Sequence, residues 1–119
     1  MFNFEKLDVW QKAIDFADLV YTNTRGFPAD ERFGLTTQLP RGAVSISSNI
    51  AEGSSRSSKI DFARFVEIAG GSLFEVVSQS FIARRQSFLS DSGFRRIYAA
   101  AEEQSRMLRG LRRSLLAVE

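Results

Sequence analysis

A run of polar side chains between Gln38 and Glu52 recurs at helical spacing and is the first candidate for chemistry in this sequence. The run lies within about 100° of an apolar stripe on the same predicted helix, so it cannot point straight into solvent. A buried amide or carboxylate without a partner costs about 1–3 kcal/mol, so these side chains must either join helices or line a site. This polar stripe consists of Gln38, Arg41, Ser45, Ser48, Asn49 and Glu52.

The absence of histidine and cysteine limits the chemistry that the polar stripe could perform. Serine and cysteine triads need an imidazole or an equivalent base, and di-iron helical bundles need a histidine in two of their helices. No glycine-rich phosphate loop and no thiolate metal site is present. We therefore predict a protein that is not an enzyme and that has no catalytic residues, metal or cofactor. An enzyme or small-ligand site built from Arg41, Asn49 and Glu52 is the weakest alternative.

The composition predicts one globular domain spanning residues 1–119. Hydrophobic residues make up 44% of the chain and charged residues 25%, as in ordinary globular proteins. No apolar run approaches the roughly 18–20 residues of a membrane span, and the N-terminus does not follow the pattern of a secretory signal. We expect a cytoplasmic location and no membrane partner.

The first half of the chain predicts two helices. The first runs from Asp8, as its N-cap, to about Thr24, and the second carries the polar stripe. Pro40 removes one backbone donor and crowds the preceding turn, which predicts a kink near residues 36–40. The expected apolar faces of these helices are Trp10, Ala13, Ile14, Ala17, Val20 and Tyr21 in the first, and Leu35, Leu39, Ala43, Ile46 and Ile50 in the second.

The second half predicts two longer helices, each preceded by a capping serine. Ser58 begins a helix that extends from Lys59 to about Phe88, and Ser90 begins a helix that continues to the end of the chain. Both carry apolar residues that alternate by three and four, as the helices of a bundle do. Four helices joined by short turns predict an all-α fold, an antiparallel up-down-up-down four-helix bundle.

The third helix carries a second apolar stripe, displaced by about 100° from its core stripe. Because a helix of a monomeric bundle needs only one buried face, the second stripe predicts an interface between copies of this chain. Gly70 and Gly71 lie within this helix at a cost of about 1 kcal/mol each, which predicts close approach by another helix. The predicted oligomer interface consists of Phe74, Val77, Phe81 and Phe88.

Arginine is concentrated near the end of the chain, where eight arginines between Arg84 and Arg113 face only three acidic residues. Arginine suits forked pairing with phosphates, so this excess is compatible with RNA or DNA as a partner. Surface pairs such as Glu102–Arg106 offer a purely structural alternative. The expected nucleic-acid contacts are Arg84, Arg85, Arg95, Arg106, Arg109 and Arg113.

Several short blocks in a fixed order resemble the four-helix-bundle proteins related to those encoded in 23S rRNA intervening sequences. They include FEKLDVWQKA at residues 4–13, SNIAEG at 48–53 and IAGGSL at 68–73. The resemblance implies a left-handed bundle that assembles into a closed ring of five, a bacterial cytoplasmic location, and a poorly defined role for which nucleic-acid binding is proposed. The accessory variability protein of diversity-generating retroelements is a more distant resemblance.

Three hypotheses follow for the function. The first is a homo-oligomeric binding module for RNA, DNA or a nucleic-acid enzyme, and the second is a structural ring in which the polar stripe only fixes helix packing. The third is the small-ligand site or enzyme described above. The family commonly reads QLRRAAVSIPSNIAEG where this chain has Pro40, Gly42 and Ser47, so Arg41 alone remains of the double arginine.

Overall fold

The computed structural model describes residues 1–118 and contains four α-helices. They are α1 (Asp8–Thr24), α2 (Leu35–Ser54), α3 (Lys59–Arg85) and α4 (Asp91–Leu116), with short 3-10 turns at Asn3–Lys6 and Ala29–Glu31. No strand occurs within the described residues, so the predicted all-α four-helix fold is confirmed. Glu119, the last residue of the predicted domain, lies outside the described part of the chain.

The two serine caps are confirmed. Ser58 Oγ accepts a hydrogen bond from the Asp61 amide at 3.1 Å, and Ser90 Oγ accepts one from the Gly93 amide at 3.0 Å. These bonds satisfy amides that have no partner within the helix. They therefore fix where α3 and α4 begin.

Two helix boundaries differ from the prediction. Leu7, and not Asp8, is the N-cap of α1, while Asp8 lies in the first turn, where its charge suits the helix dipole. The third helix ends at Arg85 rather than near Phe88. Ser87 adopts a left-handed conformation with φ of 64°, which is incompatible with continuing the helix.

Each helix packs against two others around a core that runs along the molecule. Helix α2 contacts α1 and α3, α4 contacts α3 and α1, and the whole measures 50 × 22 × 20 Å. The apolar face predicted for α2 is buried except at its first residue, which is half-buried. The largest side chains sealed in the core are Leu39, Ile46, Ile50, Leu73, Ile97, Gln104, Val20, Val66 and Val76.

The buried face of α1 is rotated from the predicted one. Ile14 and Tyr21 are exposed, whereas Val9 and Phe16 are buried. The buried set alternates by four and three along the helix because α1 must face α2 and α4 together. The predicted face therefore included two residues, Ile14 and Tyr21, that lie outside the core.

Within the subunit, glycine mediates close helix packing on α2, at positions that were not predicted from the sequence. The close approach of another helix to Gly70 and Gly71 stays a prediction. A Cβ at Gly42 would lie 2.7 Å from Val76 Cγ2, and one at Gly53 would lie 2.7 Å from Phe65 Cβ. Gly70 and Gly71, in contrast, face open space, and a Cβ at either position would have no neighbour within 4 Å. The close contact therefore lies between α2 and α3.

Pro40 does not interrupt α2. The helix continues from Leu35 through the buried proline to Ser54. Because Pro40 lies in the second turn, only the hydrogen bond to the Thr36 carbonyl is lost.

By length and composition alone, α3 is a helix that could cross a membrane. The core helices of globular bundles can have the same length and composition. Here α3 packs between α2 and α4 with a row of seven buried residues, while other apolar side chains, such as Ile68 and Phe74, are exposed.

Candidate nucleic-acid interface

The polar stripe of α2 mainly joins α2 to α3. Ser45 Oγ and Ser72 Oγ lie 2.9 Å apart, and Asn49 Nδ2 donates to the Ser45 carbonyl at 2.8 Å. At the other end, Gln79 Nε2 donates to Gln38 Oε1 at 3.2 Å. Ser45 and Gln38 therefore bond across to α3, whereas Asn49 bonds back to its own helix, as in a structural polar network.

The remaining members of the stripe do not converge on a cavity. Glu52 is exposed and pairs with Arg56 at 3.2 Å, while the Arg56 guanidinium lies 4.6 Å above the Phe65 ring. Ser48 is exposed, and Arg41 borders a shallow hollow on the opposite, α1 side of α2. The three residues of the small-ligand hypothesis, Arg41, Asn49 and Glu52, therefore face three different surroundings.

Four of the predicted arginines lie on one side of α4, and we call this surface the arginine strip. They fall within an arc of about 60° around the helix and point away from the core. All are exposed, and none forms an ion pair with another residue between 1 and 118. The arginine strip consists of Arg95, Arg106, Arg109 and Arg113.

Two acidic residues of α4, Asp91 and Glu102, lie within the same arc. The predicted i,i+4 pair between Glu102 and Arg106 is absent from the ion pairs of the described residues. No carboxylate within the described chain is paired with the arginines of the strip.

The other two predicted contacts differ from the strip and from each other. Arg84 is half-buried, with its guanidinium 3.9 Å from the centre of the Phe94 ring and 5.4 Å from that of Phe81. Such cation–π stacking holds the charge in place at the end of α3. Arg85 is fully on the surface.

An apolar groove of about 460 Å³ lies between α3 and α4, beside the arginine strip. We call it the α3–α4 groove. Phe74 is 70% exposed, and Phe81 and Tyr98 are each 40% exposed. Phe81 packs edge-on against Phe94, with ring centres 4.8 Å apart. The groove is lined by Leu73, Phe74, Val77, Ser78, Phe81, Tyr98, Ala101, Glu102 and Ser105.

Three of the four residues of the predicted oligomer interface line this groove. Phe74 and Phe81 are exposed, and Val77 is half-buried beneath them. Phe88 does not line it, because α3 has already ended at Arg85. Its ring packs instead near Phe27, with centres 6.0 Å apart.

The α4 wall of the groove was not predicted from the sequence. Tyr98 and Ser105 lie on α4 between its core face and the arginine strip, and Glu102 lies within the strip itself. The groove could have been predicted from these α4 residues taken together with the second apolar stripe of α3. Ser72 and Gln79, the partners of the polar stripe, were missed because their importance depends on the register between two helices.

The fold and this surface together define an all-α four-helix protein with an internally bonded polar stripe and a basic, aromatic outer face. The model of the family described as 23S rRNA-intervening sequence protein matches residues 5–110, and the chain belongs to this family. None of the curated proteins matches the sequence.

Proposed function

We propose that this chain is a non-enzymatic nucleic-acid-binding protein that holds phosphates on the arginine strip of α4. The observation that carries the proposal is four exposed arginines on one arc with no ion-pair partner among residues 1–118. Unpaired surface arginines attract phosphates and bind them in a forked geometry.

The proposed binding is weak per subunit and independent of base sequence. Each phosphate that is neutralised contributes about 0.7 to the log–log salt dependence for a single strand and about 0.9 for a duplex. Four to six arginines therefore predict a steep loss of affinity with salt. The sequence carries no recognisable groove-reading motif, so the strip provides position and charge and no base code.

The test is a titration of labelled RNA at two salt concentrations. Wild type is compared with Arg106→Glu/Arg109→Glu, and Lys59→Glu/Arg64→Glu serves as a control with the same change in net charge on exposed residues of α3. We expect the strip variant to lose at least tenfold in affinity and to show a shallower salt slope, while the control changes far less. Equal losses in both variants, or no binding by wild type at low salt, would contradict the proposal.

A second candidate is a self-associating scaffold, and a different surface favours it. The outer face of α3, away from the α3–α4 groove, exposes Ile60, Ile68 and Ile82, each by half or more. A row of half-exposed isoleucines is typical of a protein–protein contact. The Glu67–Arg112 pair near one end of α3 and the Phe81–Phe94 contact near the other support an up-down-up-down bundle as its subunit. The assembly proposed is a closed ring of five copies.

Light scattering distinguishes this candidate from a monomer. A ring should give a mass several times that of the 13.4 kDa chain. Ile68→Asp should reduce this mass, because each closed interface would bury an unpaired charge. Ile14→Asp, at an exposed isoleucine of α1 outside this face, is the control and should leave assembly less affected. A wild-type mass of one chain would exclude the scaffold and leave nucleic-acid binding to be judged separately.

A further inference from the structure

We infer that the α3–α4 groove receives the bases of single-stranded RNA while the arginine strip holds the phosphates of the same strand. This inference rests on the proposed function and adds the kind of nucleic acid and the place where its bases lie. It is carried by the position of an exposed aromatic groove directly beside unpaired arginines.

The groove offers flat aromatic surfaces at separate heights along the molecule. Phe74 and Phe81 are seven residues apart on α3, which separates them by about 10 Å along the helix axis. Tyr98 faces Phe81 from α4, with ring centres 6.2 Å apart. Aromatic rings at such spacing can stack on successive bases of one strand, and stacking tolerates any base because each has a π-face.

The charges around the groove favour an anionic occupant over a neutral apolar one. Arg84 stands at one end of the aromatic cluster, fixed above the Phe94 ring at 3.9 Å. Arg95 borders the same aromatic end, and Arg109 borders a smaller hollow that shares Phe74 with the groove. A strand whose bases enter the groove would place its phosphates among these guanidinium groups.

The polar residues of the groove favour RNA. Glu102 lies among the arginines and is acceptor-only when ionised, so it cannot itself assist phosphate binding. A ribose 2′-hydroxyl or an exocyclic amine can donate to this carboxylate, and Ser78 and Ser105 offer further hydroxyls. The 2′-hydroxyl is the group that distinguishes RNA from DNA at a binding site.

Duplexes and a second copy of this face fit the groove less well. Bases inside a duplex are already stacked and paired, so they cannot enter an aromatic groove. A second copy docking by the same face would bring two arginine strips together, and facing like charges oppose association. A single strand can place its bases in the apolar groove and its phosphates on the arginine strip at the same time.

The test compares a labelled 12-nucleotide single-stranded RNA, the matching DNA strand and a duplex RNA of equal length. The variant is Phe74→Leu/Tyr98→Leu, which keeps apolar bulk and removes the aromatic faces. Phe33→Leu is the matched control, because Phe33 is 84% exposed and lies outside the groove. Thermal unfolding and light scattering accompany each titration.

We expect wild type to bind the single-stranded RNA more tightly than the DNA strand or the duplex. The groove variant should lose about tenfold or more in affinity for the single strand, since stacking on one aromatic residue corresponds to about that ratio. Its binding to duplex, its unfolding temperature and its mass should stay near those of wild type, and Phe33→Leu should change none of these.

Four outcomes would overturn all or part of the inference. If Arg106→Glu/Arg109→Glu abolishes binding but Phe74→Leu/Tyr98→Leu does not weaken it, the groove assignment is wrong and the proposed function stands. If wild type binds no RNA at low salt, both fail. If the groove variant changes the mass of the assembly, the groove is a contact between copies. Equal binding of the DNA strand would refute the choice of RNA.

Discussion

Helix α3 faces its two neighbours in opposite ways. Toward α2 it packs closely, because Gly42 admits Val76 and Gly53 admits Phe65. A serine pair and a glutamine pair add hydrogen bonds across that interface. On the outer edge toward α4 it leaves a groove in which Phe74 is largely exposed. The comparison separates a surface that maintains the fold from one that is available to a partner.

The side of α3 that faces α4 is also held by specific contacts, one near each end of the groove. The Glu67–Arg112 pair joins α3 and α4 near one end at 2.7 Å, and Phe81 packs against Phe94 near the other. Between these contacts four of the residues that border the gap are small, which leaves space between the two helices. The small residues that border this gap are Gly70, Ser78, Ala101 and Ser105.

The largest predicted effect is a difference in the free energy of unfolding between variants of two adjacent residues of α3. Leu73 is 1% exposed, and Leu73→Ala should lower the free energy of unfolding by about 3 kcal/mol because it leaves a cavity in the core. Phe74→Ala should change it by less than about 0.5 kcal/mol, since most of that ring already contacts water. Urea denaturation measures both. A comparable loss for the two variants would mean that Phe74 belongs to the core.

A second, smaller effect should distinguish the glycines of α2 and α3. Gly53→Ala should destabilise the protein by about 1–3 kcal/mol, because the added methyl group would meet Phe65 Cβ and the Phe62 ring. Gly71→Ala should instead stabilise it by about 1 kcal/mol, because alanine is the better helix former and its methyl group meets nothing. Thermal unfolding of the two variants gives the comparison directly. Stabilisation by Gly53→Ala would show that α2 and α3 are not tightly packed there.

Much of the fold could be predicted because capping and periodicity are local. Ser58 and Ser90 mark helix starts through contacts three residues away, and the apolar face of α2 is legible from spacing alone. The close contacts at Gly42 and Gly53 were not predicted, because close approach depends on which helix lies opposite, and the sequence does not contain that register. Tyr98 was missed for the same reason, since a groove belongs to two helices at once.

The candidate site was predicted in part. The arginine strip is a property of one helix and could be read from its spacing. The polar stripe could be read as a pattern, but whether it joined helices or lined a site depended on partners such as Ser72, 27 residues from Ser45.

The smallest predicted effect concerns the hydrogen bond between Ser45 and Ser72. A double-mutant cycle with Ser45→Ala and Ser72→Ala should give a coupling of about 1 kcal/mol, typical of one hydrogen bond. The cycle cancels the helix preference of alanine, which would otherwise mask the loss. Ser48→Ala with Ser72→Ala is the control, because Ser48 is exposed and should show no coupling. Zero coupling between Ser45 and Ser72 would show that this contact between α2 and α3 does not stabilise the fold.

Ultraviolet cross-linking of single-stranded RNA, followed by mass spectrometry of the protein peptides, tests most directly which side of α3 is functional. The cross-links should fall in the peptides that contain Phe74, Phe81 and Tyr98, and they should disappear at high salt because the arginine strip holds the strand. Peptides from residues 41–52 of α2 should carry none. Cross-links concentrated in α2, with the α3–α4 groove unmodified, would contradict the division between a structural and a binding side of α3.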